Sequence, residues 1–544
     1  MIAPSKTSSA PSRQLTTGEA LARLLERHGV SHVFGIPGVH TIELYRGLAE
    51  SSLTHVLAKH EQGAGFMADG FARETGRPAA CFFITGPGVT NAVTAIGQAY
   101  SDSVPMLIFA STAAVGDLGR QRGRLHETKN QRAILEPVTA FAATAYRPDD
   151  VLDYVNRAFA VFTSRRPRPV YIEIPLDVLA MPVTGDWQPR HLSARPGPRD
   201  EDIEKAASLL MQAKSPAIIC GGGAWGAAAE IRALAERLAI PTFSTIAGKG
   251  IMPAGHPLQL DALLHLGPAR KFLAECDTVL AVGTELAQSE LLTSEPLATG
   301  GALIRIDIDH EQLCDEQPTT LPILSDARLA MDAILNRVAG QPGVKPPASG
   351  EMRVQALRSR IVAELADMER LYDHALGTLR SGLPDETIIF TDMTTIAYTG
   401  NFTYPVPDGG RWIHPAGYGS LGYGLPAAIG AKIGNPDRPV VAIVGDGGFQ
   451  FTLPELAVMS ELRLPVLVIL WNNGCFGQIK KGMIARNVTP VGVDYANPNL
   501  LGIAEAYGIA AHMPASAGEA AEIVGRAIRG DRPTIIELTP DLFT

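Results

Sequence analysis

Val440-Val441-Ala442-Ile443-Val444 runs straight into Gly445-Asp446-Gly447-Gly448. A second apolar run, Leu464–Leu470, stops at Trp471-Asn472-Asn473, with 24 residues between Gly447 and Asn472. Continuous apolar runs of this length, bounded by glycine or asparagine, read as parallel strands buried on both faces. An aspartate and an asparagine at the carboxyl ends of two such strands converge in the crevice where parallel sheets bind ligands. One charged and one neutral oxygen ligand suit Mg²⁺ or Ca²⁺, and Mg²⁺ completes its octahedron with phosphate oxygens and water. The glycines around Asp446 let the backbone approach a diphosphate, and the helix that follows offers it free N–H groups. Alone, each element is an ordinary turn or strand end. Together they form a diphosphate–metal motif.

Working outward, short β-branched runs alternate with longer Ala/Leu/Glu-rich segments along the whole chain, which is the pattern of βαβ units. In the first third the expected strands are His32–Phe34, Ala79–Ile84, Met106–Ala110 and Val170–Ile174. Met181–Asp200 is rich in Pro and Arg and reads as a linker. A second unit opens at Ala217–Cys220, followed by Gly221-Gly222-Gly223, and continues with Thr278–Val282 and Ala302–Ile308. Those three glycines lack a full dinucleotide pattern and read as structural. Gln341–Gly350 is a second linker, and Glu351–Ser381 is a helical pattern. In the last unit Ile388–Phe390 and Thr534–Glu537 join the two strands quoted first. The fold class is α/β: three doubly wound α/β domains with mainly parallel sheets and no short sequence repeat. The expected boundaries are a disordered tail over 1–14, domains over 15–182, 201–340 and 351–544, and linkers over 183–200 and 341–350.

Size and composition fit that plan. The 544 residues are 46% hydrophobic, enough for about three domains each with its own core. A net charge of −9 without a basic tail argues against nucleic-acid or anionic-membrane partners. The five cysteines (Cys81, Cys220, Cys276, Cys314, Cys475) are odd in number and form no CxxC pair, so free thiols in a cytoplasmic protein are expected. The opening residues carry no secretory pattern, and no apolar run is long enough to span a membrane.

Gly445-Asp446-Gly447 with Asn472-Asn473 at this distance resembles the cofactor motif of thiamine-diphosphate-dependent enzymes, in the acetolactate synthase and 2-oxo acid decarboxylase branch. The order of the three units is similar to that family's pyrimidine-binding, central and diphosphate-binding domains. The resemblance implies that Asp446 and Asn473 ligate Mg²⁺ through their side chains and Cys475 through its carbonyl. It implies that Gly445, Asp446, Gly447, Gly448, Asn473, Cys475, Phe476 and Gly477 surround the cofactor's diphosphate. It also gives Glu61, in His60-Glu61-Gln62, the role of the glutamate that hydrogen-bonds N1′ of the aminopyrimidine; read alone, Glu61 is a helix N-terminal carboxylate. By the same resemblance Leu421 props the cofactor into a bent shape and the Gly419 carbonyl accepts from its 4′-amino group. Gly35-Ile36-Pro37-Gly38 and Thr85-Gly86-Pro87-Gly88 are similar to loops that border the cofactor.

Within the family, Leu125-His126-Glu127-Thr128-Lys129-Asn130-Gln131 departs from the segment expected of biosynthetic acetolactate synthases. Together with Gly38-Val39-His40-Thr41, Thr391-Asp392-Met393-Thr394 and Pro490–Asp494, it resembles a 5-guanidino-2-oxopentanoate decarboxylase subgroup. The implied reaction is non-oxidative decarboxylation of that 2-oxo acid to 4-guanidinobutanal and CO₂. A guanidinium favours carboxylate partners, so Asp392 and Glu127 are the candidates, with Val39 and Gln131 beside the substrate. His40 and His126 are candidate proton donors, since imidazole titrates near neutrality. The alternatives are an acetolactate-synthase-like carboligase and a non-catalytic cofactor-binding paralogue; the presence of Glu61 argues against the second. The family also implies a homodimer or homotetramer whose active sites lie at the subunit interface.

Overall fold

A computed structural model describes residues 13–341 and 350–544. The tail expected over 1–14 and the linker expected over 341–350 thus lie outside the described residues, except for 13, 14, 341 and 350.

Three wholly parallel sheets carry the chain. The first is built from β1 (His32–Gly35), β2 (Thr54–Leu57), β3 (Ala79–Phe83), β4 (Met106–Thr112), β5 (Phe141–Thr144) and β6 (Val170–Pro175), in the order β2-β1-β3-β4-β6-β5. The second holds β7 (Pro216–Cys220), β8 (Thr242–Ser244), β9 (Thr278–Val282), β10 (Ala302–Asp307) and β11 (Leu321–Leu324), ordered β11-β10-β9-β7-β8. The third comprises β12 (Ile388–Thr391), β13 (Arg411–Ile413), β14 (Val440–Gly445), β15 (Val466–Trp471), β16 (Ala510–His512) and β17 (Thr534–Leu538), ordered β13-β12-β14-β15-β17-β16. Every residue of β3, β4, β6, β14 and β15 is buried, as expected of strands covered by helices on both faces.

The helical pattern over Glu351–Ser381 divides into two helices, Gly350–Glu364 and Asp367–Gly382. Val354, Leu357 and Ile361 of the first pack into the central domain's core, whereas Ala375, Leu376 and Leu379 of the second pack on the third sheet. The central domain therefore keeps one more helix than the expected boundary at 350 allowed. Apolar spacing alone does not say which sheet a helix covers.

The first and third domains share one apolar core. The helix Glu61–Thr75 crosses the helix Gly424–Gly434 at backbone contact: a Cβ at Gly70 would overlap the Ala427 carbonyl, and one at Gly430 the Met67 carbonyl. Buried charge at this junction is compensated. Asp69 accepts from Arg73 Nε (2.6 Å) and Tyr423 Oη (2.6 Å), and Asp102 from Arg73 Nη2 (2.8 Å) and the Gly417 N–H (2.9 Å). All five cysteines are free, and among the described residues no helix is long and apolar enough to cross a membrane.

Candidate active site

β14 and β15 pair with Gly445 opposite Trp471, so Asp446 and Asn472 leave the sheet side by side. Asp446 is buried, and its Oδ2 accepts from the Gly474 N–H (3.1 Å) and Asn497 Nδ2 (2.6 Å). Asn472 braces the corner: its Oδ1 accepts from the same two groups, and its Nδ2 donates to Glu537 Oε1 at 2.6 Å.

Asn473 does something different. Its side-chain oxygen lies 3.3 Å from Asp446 Oδ1 and 2.8 Å from the Cys475 carbonyl oxygen. The Cys475 N–H donates to the Asn473 side-chain oxygen at 3.3 Å, but the two oxygen–oxygen contacts remain, and either of two arrangements relieves them. The amide can rotate so that its NH₂ donates, or a hard cation can sit among them. An all-oxygen set of one carboxylate, one amide and one carbonyl fits Mg²⁺. Over this corner Phe476 and Tyr495 stack edge to face, with ring centroids 5.0 Å apart. Gly447 has room only for a hydrogen there, since a Cβ would stand 2.5 Å from Tyr495 Oη and 2.8 Å from Phe476 Cε1. Gly477 opens the next helix, Gly477–Ala485.

Asp392 is not available to a substrate, which corrects the sequence expectation. It is 1% exposed, accepts from the N–H groups of Met393 (2.7 Å) and Gly422 (3.1 Å), and lies against Gly448. Burial pushes its carboxyl up to about 6. Its place is structural: it ties the loop holding Gly419 (φ +71°) and the half-buried Leu421 to the Asp446 corner.

On the first sheet, Glu61 is the first residue of its helix, placed there by β2 and by His60, whose Nδ1 caps the Gln62 N–H at 3.1 Å. Only 8% exposed, Glu61 accepts from Asn91 Nδ2 at 2.9 Å and stands beside Gly88. The start of this helix is held from the third domain, where Glu455 accepts from the Lys59 N–H (3.2 Å) and the His60 N–H (2.9 Å). Burial first, and Glu61 nearby, push Glu455 up to about 7.

Three loops meet beyond β1 and β3. His40 and His126 stand edge to face with centroids 5.2 Å apart, each with a buried, unpartnered Nδ1. Burial, and then His126, hold the His40 imidazole below its usual range. Val39 beside them is exposed. Gln131 is buried and acts as a strut: its Oε1 accepts from the Gly86 N–H (2.7 Å), and its Nε2 donates to the Ser111 carbonyl (2.9 Å) and Tyr171 Oη (2.8 Å). Glu127 is half-buried and folds its own loop, accepting from the N–H groups of Arg122 (3.2 Å) and Arg124 (3.0 Å). Each carboxylate oxygen thus takes one amide, which leaves acceptor capacity on the side chain that the sequence reading offered to a guanidinium.

Within one chain Glu61 and Asp446 share no hydrogen-bond partner; each waits at the end of its own sheet. Sequence reasoning missed Asn91, Asn497 and Glu455. Each reaches its target from a distant part of the chain, and nothing local marks it.

An all-oxygen corner on one six-stranded sheet and a buried, helix-borne glutamate on a second sheet of the same order are features of a cofactor-dependent enzyme. The comparisons agree. The thiamine pyrophosphate enzyme family matches in three segments: its N-terminal TPP binding domain over 15–134, its central domain over 203–334 and its C-terminal TPP binding domain over 392–538. The chain belongs to this family, and the expectation of family and three-domain fold is borne out. Among curated relatives, a probable 2-ketoarginine decarboxylase, AruI, of Pseudomonas aeruginosa is 47% identical over 97% of this chain and 94% of its own. The acetolactate synthase isozyme 1 large subunit of Escherichia coli is 32% identical over 88% of this chain and 85% of its own. The acetolactate synthase large subunit of Lactococcus lactis is 31% identical, covering 96% and 92%.

Proposed function

We propose that this enzyme uses thiamine diphosphate and Mg²⁺ to decarboxylate 5-guanidino-2-oxopentanoate (2-ketoarginine) to 4-guanidinobutanal and CO₂. Bound thiamine diphosphate supplies the carbon nucleophile and the electron sink for the lost carboxylate. The residues do the rest. Asp446, Asn473 and the Cys475 carbonyl hold the metal that neutralises the diphosphate, with Gly445, Gly447, Gly448, Phe476 and Gly477 around it. Glu61 shares a proton with the pyrimidine N1′ from a largely dry position, oriented by Asn91. Leu421 and the Gly419 carbonyl would border the bound cofactor. His40 and His126, paired at the mouth of the three loops, deliver the proton that releases the aldehyde.

The observation that carries the chemistry is the three-oxygen corner at Asp446, Asn473 and Cys475. The observation that carries the substrate is the 47% identity to a probable 2-ketoarginine decarboxylase. Family membership, and the absence among the described residues of a hydrogen-bond partner common to Glu61 and Asp446, support a working unit that is a homodimer or a homotetramer with each site shared between two copies. Exposed Val39, Leu125, Phe451 and Ile479 are the apolar surface such an interface would cover. The acetolactate synthase relatives support a second reading, a carboligase that joins two 2-oxo acids. A panel of 2-oxo acids, with CO₂ and organic product both followed, tests the assignment. Turnover of the guanidino acid to its aldehyde is expected, and acetolactate from pyruvate without that turnover overturns it.

A further inference from the structure

A guanidinium tail needs a carboxylate, and the two that sequence pointed to accept from backbone amides. Glu61 faces Asn91, and Asp177, at the end of the first sheet, caps the Val115 N–H. A further carboxylate, Glu173 on β6, lines the same cavity as Glu127 and is the more deeply buried of the two. It is 4% exposed, and its carboxylate is held only by neutral donors: Thr144 Oγ1 on Oε1 (2.7 Å), and Tyr171 Oη (3.2 Å) and Gln131 Nε2 (3.4 Å) on Oε2. Among the described residues it makes no ion pair; Arg132 acts on it from a distance, and Lys129 and Arg132 both line the cavity beside it.

Glu173 also lines a cavity of about 240 Å³, roofed by the loop that carries Glu127, Lys129 and Arg132 and floored by Thr85, Thr112 and Thr144 at the strand ends. The cavity begins at Thr85, next to Gly86, and Gln131 joins Gly86 to Glu173 in two steps of 2.7 Å and 3.4 Å. Burial raises the Glu173 carboxyl, against the hydrogen bonds from Thr144, Tyr171 and Gln131, which lower it. A planar cation would compensate that anion, whereas a neutral chain would leave it as it is.

Resting on the substrate reading above, we infer that the cavity beside Glu173 is the side-chain subsite of this enzyme, and that Glu173 selects 2-oxo acids ending in a guanidinium. Glu173 is thus a specificity-determining residue. Gln131, which spans the gap from Gly86, positions it.

The test compares two substrates on the thiamine-diphosphate- and Mg²⁺-loaded enzyme: 5-guanidino-2-oxopentanoate and the uncharged 2-oxooctanoate. Glu173→Gln keeps the shape and removes the charge. The expected result is a fall of at least a hundredfold in kcat/KM for the guanidino acid, carried by KM, with less than a threefold change for 2-oxooctanoate. Glu173→Asp, which keeps the charge but shortens the reach, should raise KM for the guanidino acid several-fold and spare 2-oxooctanoate. This second variant decides the matter if Glu173→Gln does not fold. Equal losses on both substrates, or no loss on either, overturn the inference alone. Wild-type enzyme that decarboxylates 2-oxooctanoate but not the guanidino acid overturns the substrate reading and this inference with it.

Discussion

The first and third domains are one design used in two ways. Numbered within each domain, both six-stranded sheets run 2-1-3-4-6-5, yet the chemistry leaves them at different strands. In the third domain Asp446 and Asn473 follow the neighbouring central strands β14 and β15, and Gly474 and Asn497 each donate to both Asp446 and Asn472, which fixes the corner. In the first domain Glu61 follows the edge strand β2, and its carboxylate has one side-chain donor, Asn91. A metal clamp works best when over-determined, because its oxygens must keep octahedral spacing. In the role proposed for it Glu61 must exchange a proton, which suits a carboxylate held by its helix start and lightly bonded. Like folds thus carry unlike sites.

That contrast can be broken from either side. Asp446→Ala should abolish both activity and Mg²⁺-dependent cofactor binding, as read by calorimetry. Glu61→Gln should retain metal and cofactor affinity while kcat falls about 10²–10⁴-fold; an unimpaired rate would remove the assigned role. Asn497→Ala takes away the 2.6 Å bond to Asp446 and should weaken Mg²⁺ about 10-fold or more without altering kcat at saturating metal. The smallest effect belongs to Glu455, which joins the two domains. Its folded pKa of about 7 lies above the unfolded value of 4.5. The native state therefore holds the extra proton between those values, and stability falls as pH rises through that window. A tenfold difference in proton affinity between the folded and unfolded chains corresponds to about 1.4 kcal/mol. Denaturation near pH 5 and near pH 8 should show a smaller pH-dependent loss in Glu455→Gln than in wild type.

What the sequence made legible follows from burial. All eleven expected strands are interior strands of the three sheets, where both faces are covered and the apolar run is continuous. The six that escaped notice (β2, β5, β8, β11, β13 and β16) are the two edges of each sheet. They are only three or four residues long, and β2, β11 and β16 are part-exposed, so no run marks them. The corner of Asp446 and Asn473 was legible as a pair of strand ends because a strong strand precedes each; the metal there belongs to the proposal. Partners that arrive by tertiary contact were not: Asn497 reaches back to Asp446, and Glu455 reaches across domains to Lys59 and His60. The burial of Asp392 and the loop bonds of Glu127 were hidden for a related reason. A carboxylate's availability depends on which backbone amides fold onto it, and Gly422 and Arg124 lie outside any short motif.

The most direct measurement mixes two dead enzymes. Glu61→Gln and Asp446→Ala chains are dissociated together and allowed to reassociate with cofactor and Mg²⁺. If each site takes its glutamate from one copy and its metal corner from another, half the sites in every mixed dimer are intact. Random pairing then returns about a quarter of wild-type activity. If each chain serves its own site, every site carries one lesion and the mixture stays inactive; that result would contradict the shared-site account.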